Sequence, residues 1–192
     1  MSSIPVVVLG LRRAKFKAEA TKKHLKDIGF KNVSIYYGLD IKGKNPEGIK
    51  ASQVVMYGAK QILNKNRNIK ELIYAEDDVR ITQPEALFKH LKNGIKGIER
   101  LVYLDIPTKS KYPYGTQMIG FSNRPLNQVA DEEVNRSFDN YLNNNYKQNV
   151  GKNYGFEFIY DKGETIHKHG TKKQLEKSLD FVNEPRAHKR YK

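Results

Sequence analysis

The chain has 192 residues, 38% of them hydrophobic and 29% charged, which is enough for one substantial core and too rich in recurring Val, Ile, Leu, Tyr and Phe for a disordered segment. It has no cysteine, so disulfides and thiolate metal sites are excluded and any metal must take oxygen or imidazole ligands. The formal net charge of +14, from 35 Lys and Arg against 21 Asp and Glu, makes polyanions the natural partners: nucleic acid, anionic lipid head groups or phosphorylated saccharides.

Ile4-Pro5-Val6-Val7-Val8-Leu9, ended by Gly10, reads as a strand buried on both faces of a parallel sheet. The apolar stretch Ile4 to Leu11 is too short to cross a bilayer, and Arg12 and Arg13 follow it where a signal peptide carries its charges in front. A soluble, cytoplasmic protein is expected, in the host cytoplasm if the source is viral. Ala14 to Ile28 lacks Gly and Pro and predicts a helix with Gly29 at its C′ position. Val33 to Tyr37, closed by Gly38, predicts a second strand, and residues 40–46 have loop composition. Ser52 is positioned to cap a helix running to about Lys65, and Ile69 to Ala75 returns as a strand. This β-α-β-α-β order places the chain in the α/β class.

Pro84 predicts the first turn of a helix through Lys96, and Leu101-Val102-Tyr103-Leu104 a buried strand ending at Asp105. Beyond Pro107 come a loop to Gly115, a strand at Gln117 to Phe121, a helix near Asn135 to Asn145 and a strand at Phe156 to Tyr160. The expected organisation is one domain over residues 1–170, followed by a C-terminal helix and basic tail over 171–192.

Glu76-Asp77-Asp78 follows the apolar run Leu72-Ile73-Tyr74-Ala75, at a strand end where ligands of open α/β sheets bind. Three adjacent carboxylates repel one another unless a cation offsets them, and Mg²⁺ or Mn²⁺ suits oxygen ligands. In extended backbone Glu76 and Asp78 share a side, which makes them the metal-facing pair and leaves Asp77 turned away or bonded to the scaffold. A solvated acidic turn beside Arg80 is the alternative.

An apolar strand ending in Glu-Asp-Asp, after a helix beginning Ala51-Ser52-Gln53-Val54-Val55-Met56-Tyr57, resembles the family 25 type glycosyltransferases, the lipooligosaccharide and collagen galactosyltransferase relatives. Val6-Val7-Val8-Leu9-Gly10-Leu11-Arg12-Arg13 is similar to that family's first strand and basic turn, and Tyr37-Gly38-Leu39-Asp40-Ile41-Lys42-Gly43 to its second strand and short loop. Gly115-Thr116-Gln117-Met118-Ile119-Gly120-Phe121-Ser122 resembles its later Gly-Thr strand, and Ser137-Phe138-Asp139-Asn140-Tyr141-Leu142 the Asp-centred segment after it. The chain departs from the family in its short length, in Arg12-Arg13-Ala14, where an Arg-Pro type turn is expected, and in the residue pattern of the Gly-Thr segment.

The resemblance implies a single-domain GT-A-like fold, a Rossmann-type mixed sheet flanked by helices, and a nucleotide-diphosphate sugar donor such as a UDP-sugar. It implies donor contacts at Leu9, Arg12, Arg13, Lys15, Asp40, Glu76 and Asp77, and a divalent metal on Glu76 or Asp78 acting as a Lewis acid toward the leaving diphosphate. Arg12, Arg13 and Lys15 suit charge-assisted bonds to phosphate, and equally a solvated helix start. His167 or His169 is a further candidate metal ligand or a contact to the leaving diphosphate, the alternative being a surface turn in the basic tail. Asp139 is the candidate base by resemblance, with an exposed helix residue as alternative and Asp105 in reserve.

Tyr112 and Tyr114, interleaved with Lys109 and Lys111, suit stacking on bases or sugars beside phosphate contacts and form the candidate acceptor surface, the alternative being tyrosines that serve as core and surface filler. Charge spread along the whole chain favours hydroxymethylated bases of viral DNA as acceptor over a lipooligosaccharide. A non-catalytic nucleic-acid-binding domain and a metal-dependent nuclease are the readings from other classes.

Overall fold

The computed structural model describes residues 1–39, 49–50, 53–104, 114–154, 160–161 and 164–165. Strand β1 (Val6–Gly10) is buried along its whole length between β2 (Val33–Tyr37) and β3 (Glu71–Glu76), and it pairs with both in parallel. Helix α1 (Lys15–Asp27) connects β1 to β2, and α2 (Val54–Lys65) precedes β3. Beyond β3 the chain forms α3 (Pro84–Leu91), β4 (Ile98–Leu104), β5 (Tyr114–Ser122), α4 (Asn123–Asp131), α5 (Phe138–Asn145) and the short β6 (Asn149–Val150). The six strands lie in the order β2-β1-β3-β5-β4-β6, with β5 antiparallel to both neighbours. A separate pair, β7 (Tyr160–Asp161) and β8 (Glu164–Thr165), is antiparallel.

Alternation along the strands divides the core in two. Val6, Val8, Ile73 and Ala75 pack with Ala18 and Leu25 of α1 and Leu87 and Leu91 of α3. Val7, Leu9, Leu72 and Tyr74 pack on the other face with Met56 and Ile62 of α2, Leu126 of α4 and Phe138 of α5. Each fully buried Val, Leu or Ile contributes roughly 1.5–3 kcal/mol, so the apolar β1 run fixes the strand with a helical layer on either side.

Helix α1 ends in a Schellman motif: Phe30 N–H donates to the Leu25 carbonyl, Gly29 N–H to that of Lys26, and Gly29 takes φ +119°. The helix expected through Lys96 stops at Leu91, because Gly94 turns left-handed at φ +72° and Glu71 captures the Ile95 N–H. Helix α4 was not expected. Its apolar residues Leu126, Val129 and Ala130 are spaced to lie on one face, and Lys60 of α2 donates to the Glu132 carbonyl just past its end. Among the described residues no helix is long and apolar enough to cross a membrane. Ser52 and the tail over 166–192 lie outside the described residues, and Gln53 occupies the N-cap position of α2.

Candidate functional site

The carboxyl ends of β1, β2 and β3 enclose a cavity of about 110 Å³ lined by Leu9, Gly10, Leu11, Ala14, Lys17, Gly38, Val54, Val55, Glu76 and Asp77. It opens where the connections of β1 diverge, with α1 on one face of the sheet and α2 on the other, the position at which open α/β sheets bind ligands. Its shape depends on missing side chains. A Cβ at Gly58 of α2 would come within 2.6 Å of Leu9 Cδ1, and one at Gly10 within 2.6 Å of Ala18 Cβ. These glycines let both helices close onto β1.

The acidic run does not continue the strand. β3 ends at Glu76, and residues 77–78 are a turn, so the rule that i and i+2 share a side lapses. Glu76 and Asp77 line the cavity, while Asp78 is 2% exposed and is not part of the lining. The expected pairing of Glu76 with Asp78 in the lining is replaced by Glu76 with Asp77, and Asp77, expected to be turned away or bonded to the scaffold, is bonded to the scaffold while it lines the cavity. Glu76 Oε1 accepts a hydrogen bond from the hydroxyl of Thr116 on β5, and Asp77 Oδ1 lies 3.2 Å from the ammonium of Lys17.

Helix α1 grips the turn at three points. Besides the Lys17 contact, the Thr21 hydroxyl donates to the Asp77 carbonyl at 2.7 Å, and Ile81 N–H donates to His24 Nε2 at 3.0 Å. Spacings of four and three residues put Lys17, Thr21 and His24 on one helical face. Burial, reinforced by the Arg80 charge, lowers the His24 pKa to about 4, so its ring is neutral at pH 7. Burial and then the charges of Glu76, Asp77 and Asp78 raise the Tyr74 pKa well above its ordinary value and keep its hydroxyl protonated.

A second polar cluster lies between β4, β5 and α5. The side chain of Arg100 is fully buried and donates through Nε to Gln148, through Nη1 to the Gly115 carbonyl, and through Nη2 to Asp139 Oδ1 (2.7 Å) and Asn143 Oδ1 (2.8 Å). Asp139, expected as a base, is thus the partner of a buried guanidinium, and one carboxylate oxygen is committed to that ion pair. Gly115 adopts φ +94°, where a Cβ would collide with the Gln117 amide, and it passes the chain directly to Thr116 and so to Glu76.

Of the other expected donor contacts, Leu9 forms cavity wall at 8% exposure. Arg12 is exposed, 6.0 Å from the centroid of the Tyr37 ring, Arg13 lies in a short 3₁₀ turn, and Lys15 is exposed at the start of α1. The side chain of Arg13 lies outside the described residues, and neither Arg12 nor Lys15 lines the cavity. Lys17 does, and only the three-dimensional placement of α1 distinguishes it from the other lysines of that helix. Asp40, Asp105, Lys109, Lys111, Tyr112, His167 and His169 lie outside the described residues, as does the side chain of Tyr114.

No family model and no curated protein matches the sequence. Among the solved structures that resemble it in fold are the following two. A glycosyltransferase involved in the glycosylation of the major capsid of PBCV-1 is 13% identical, with a TM-score of 0.51 over 78% of this chain and 82% of that one. HddC from Yersinia pseudotuberculosis, solved in complex with GMP-PN, is 13% identical, with a TM-score of 0.54 over 94% of this chain and 100% of that one. Likeness at that identity speaks for architecture, since one fold hosts many activities. The six-stranded mixed sheet, layered by helices on both faces, is a GT-A-like α/β fold.

Proposed function

We propose that the protein is a glycosyltransferase that binds a nucleoside-diphosphate sugar at the β1–β3 cavity and moves the sugar to a hydroxyl acceptor. The observation that carries this reading is the cavity itself. It lies at the carboxyl ends of three parallel strands, is walled by Glu76, Asp77 and Lys17, and belongs to a fold shared with a solved glycosyltransferase and a solved nucleotide complex. The similarity to family 25 supports the same reading from the order of the motifs.

A divalent cation, Mn²⁺ or Mg²⁺, fits the residues present. Among the described lining residues Glu76 and Asp77 with Lys17 leave one net negative charge, which repels a diphosphate unless a further cation is present. Among the described residues no group of three or more His, Asp or Glu side chains gathers into a full metal cage, and Mg²⁺ typically shares one or two carboxylates with substrate phosphates. In this proposal Glu76 is the principal protein ligand, Thr116 orients it, and Asp77, Asp78, His167 or His169 complete the candidate set. The cation supplies Lewis acidity toward the departing nucleoside diphosphate.

For the acceptor we favour hydroxymethylated bases of DNA, on the strength of the +14 charge and of the exposed basic residues Arg12, Lys15, Lys23, Lys26 and Lys31 on and around α1. The test is a panel of nucleotide sugars with and without Mn²⁺, offered hydroxymethylated DNA and core oligosaccharide as acceptors. Transfer to DNA, together with duplex binding that falls at a log-log salt slope of about −0.9 per phosphate contact, supports the proposal. Transfer to the saccharide moves the acceptor to a lipooligosaccharide. Duplex binding without any donor binding marks a non-catalytic nucleic-acid-binding domain.

A further inference from the structure

Lys17 is 4% exposed on the inner face of α1, lines the β1–β3 cavity, and holds its ammonium 3.2 Å from Asp77 Oδ1. We propose that Lys17 is the phosphate-binding cation of this cavity, kept in position by Asp77 and directed at the diphosphate of the donor. This inference rests on the donor-site reading above and names the residue that meets the phosphates.

Lysine is almost never buried without a partner, and withdrawing an ammonium and a carboxylate from water costs several kcal/mol per ion. An apolar residue of similar length at this position would bury against the same wall without that cost, so a buried ion pair is weak evidence of a purely stabilising role. The surroundings suggest the use of the charge. The other described side chains of the lining are apolar, apart from the carboxylates of Glu76 and Asp77, so Lys17 brings a positive charge into a partly apolar wall. Arg12 and Lys15, the more obvious candidates in sequence, are exposed to solvent outside the lining.

Its position is also fixed before any ligand arrives. Thr21, one helical turn further on, donates to the Asp77 carbonyl and so secures the residue that secures Lys17. An ammonium held in a partly apolar cavity acts on phosphate as a preorganised point charge, and charge-assisted bonds there are stronger than in open water.

The experiment measures UDP and GDP binding in the presence of Mn²⁺ by calorimetry for the wild type, Lys17→Met and Lys17→Arg, each with its melting temperature. It is accompanied by a UDP titration of the wild type labelled at the lysine ε-carbon. Lys17→Met is expected to weaken nucleotide affinity by roughly ten- to a hundredfold, the loss of one charged hydrogen bond, while Lys17→Arg stays within a few-fold. UDP is expected to shift the one lysine resonance that Lys17→Arg removes, a readout that does not depend on Lys17→Met folding. A lower melting temperature with unchanged nucleotide affinity and no shift of that resonance makes Lys17 only the counter-ion of Asp77 and overturns the proposal. A wild type that binds neither nucleotide overturns the donor-site reading as well.

Discussion

The hydroxyl of Thr116 donates to Glu76 Oε1 and joins β5 to the end of β3 at the rim of the cavity. Thr116→Val removes the donor and keeps the shape. Because the bond is to a carboxylate, stability should fall by about 1–2 kcal/mol, and Mn²⁺-dependent nucleotide affinity should weaken several-fold as Glu76 loses its orientation. Calorimetry and urea unfolding separate the two effects. In Glu76→Gln, which removes the charge itself, metal-dependent binding should vanish while the melting curve changes little. Full nucleotide binding by Glu76→Gln would remove Glu76 from the metal site.

Arg100 and Asp139 form a buried pair whose halves are not equally dispensable. Arg100→Met leaves the Asp139 carboxylate without its cation, and breaking a buried pair from one side costs about 3–5 kcal/mol. Adding Asp139→Asn should recover part of that loss in urea unfolding, because the uncompensated charge is gone. If Asp139 acts instead as the base, Asp139→Asn alone should abolish transfer while leaving donor affinity intact.

His24 sets an acid limit on stability. Its pKa is about 4 in the folded chain, lowered by burial and then by Arg80, against about 6.5 when unfolded, so between these values the unfolded state binds more protons. Stability is therefore complete above about pH 6.5 and declines as the pH falls toward 4, by about 3 kcal/mol across the window. Protonation also removes the lone pair that accepts Ile81 N–H. Melting temperatures measured from pH 4 to 8 should show this slope, and His24→Gln should flatten it.

Gly58→Ala sets two effects against each other. Alanine favours the helix by up to about 1 kcal/mol, but the new methyl meets both Leu9 Cδ atoms, at 2.6 and 2.8 Å. Leu9 has the cavity to turn into, so the melting temperature should stay within a few degrees while nucleotide affinity falls several-fold. Unchanged affinity would show that Leu9 yields in another direction.

The parallel half of the fold was legible because Gly10 stops β1, Gly29 ends α1 and Gly38 follows β2, while the apolar run of β3 is cut off by the acidic residues 76–78. The antiparallel half was less so. Ile98-Glu99-Arg100 opens β4 with two charges, and their burial depends on His90 and on Asp139, which lies 39 residues away. The cavity was legible as a place and in Leu9, Glu76 and Asp77 of its lining, but not in Lys17. The direction of Asp77 and Asp78 turned on where β3 stops, and Lys17 looks in sequence like Lys15, Lys22 and Lys26. What distinguishes it is the orientation of α1 over the turn, which belongs to packing and not to local pattern.

Because one face of α1 holds residues 77–81 at three points, the turn behind the cavity cannot loosen without detaching from a helix that also buries Ala18 and Leu25. The Ile81 amide should then exchange with solvent only when that whole layer opens, on the slow scale of core unfolding and not of loop fraying. A ligand meeting the carboxylates therefore encounters a wall already rigid, and little of its binding energy goes into ordering the protein.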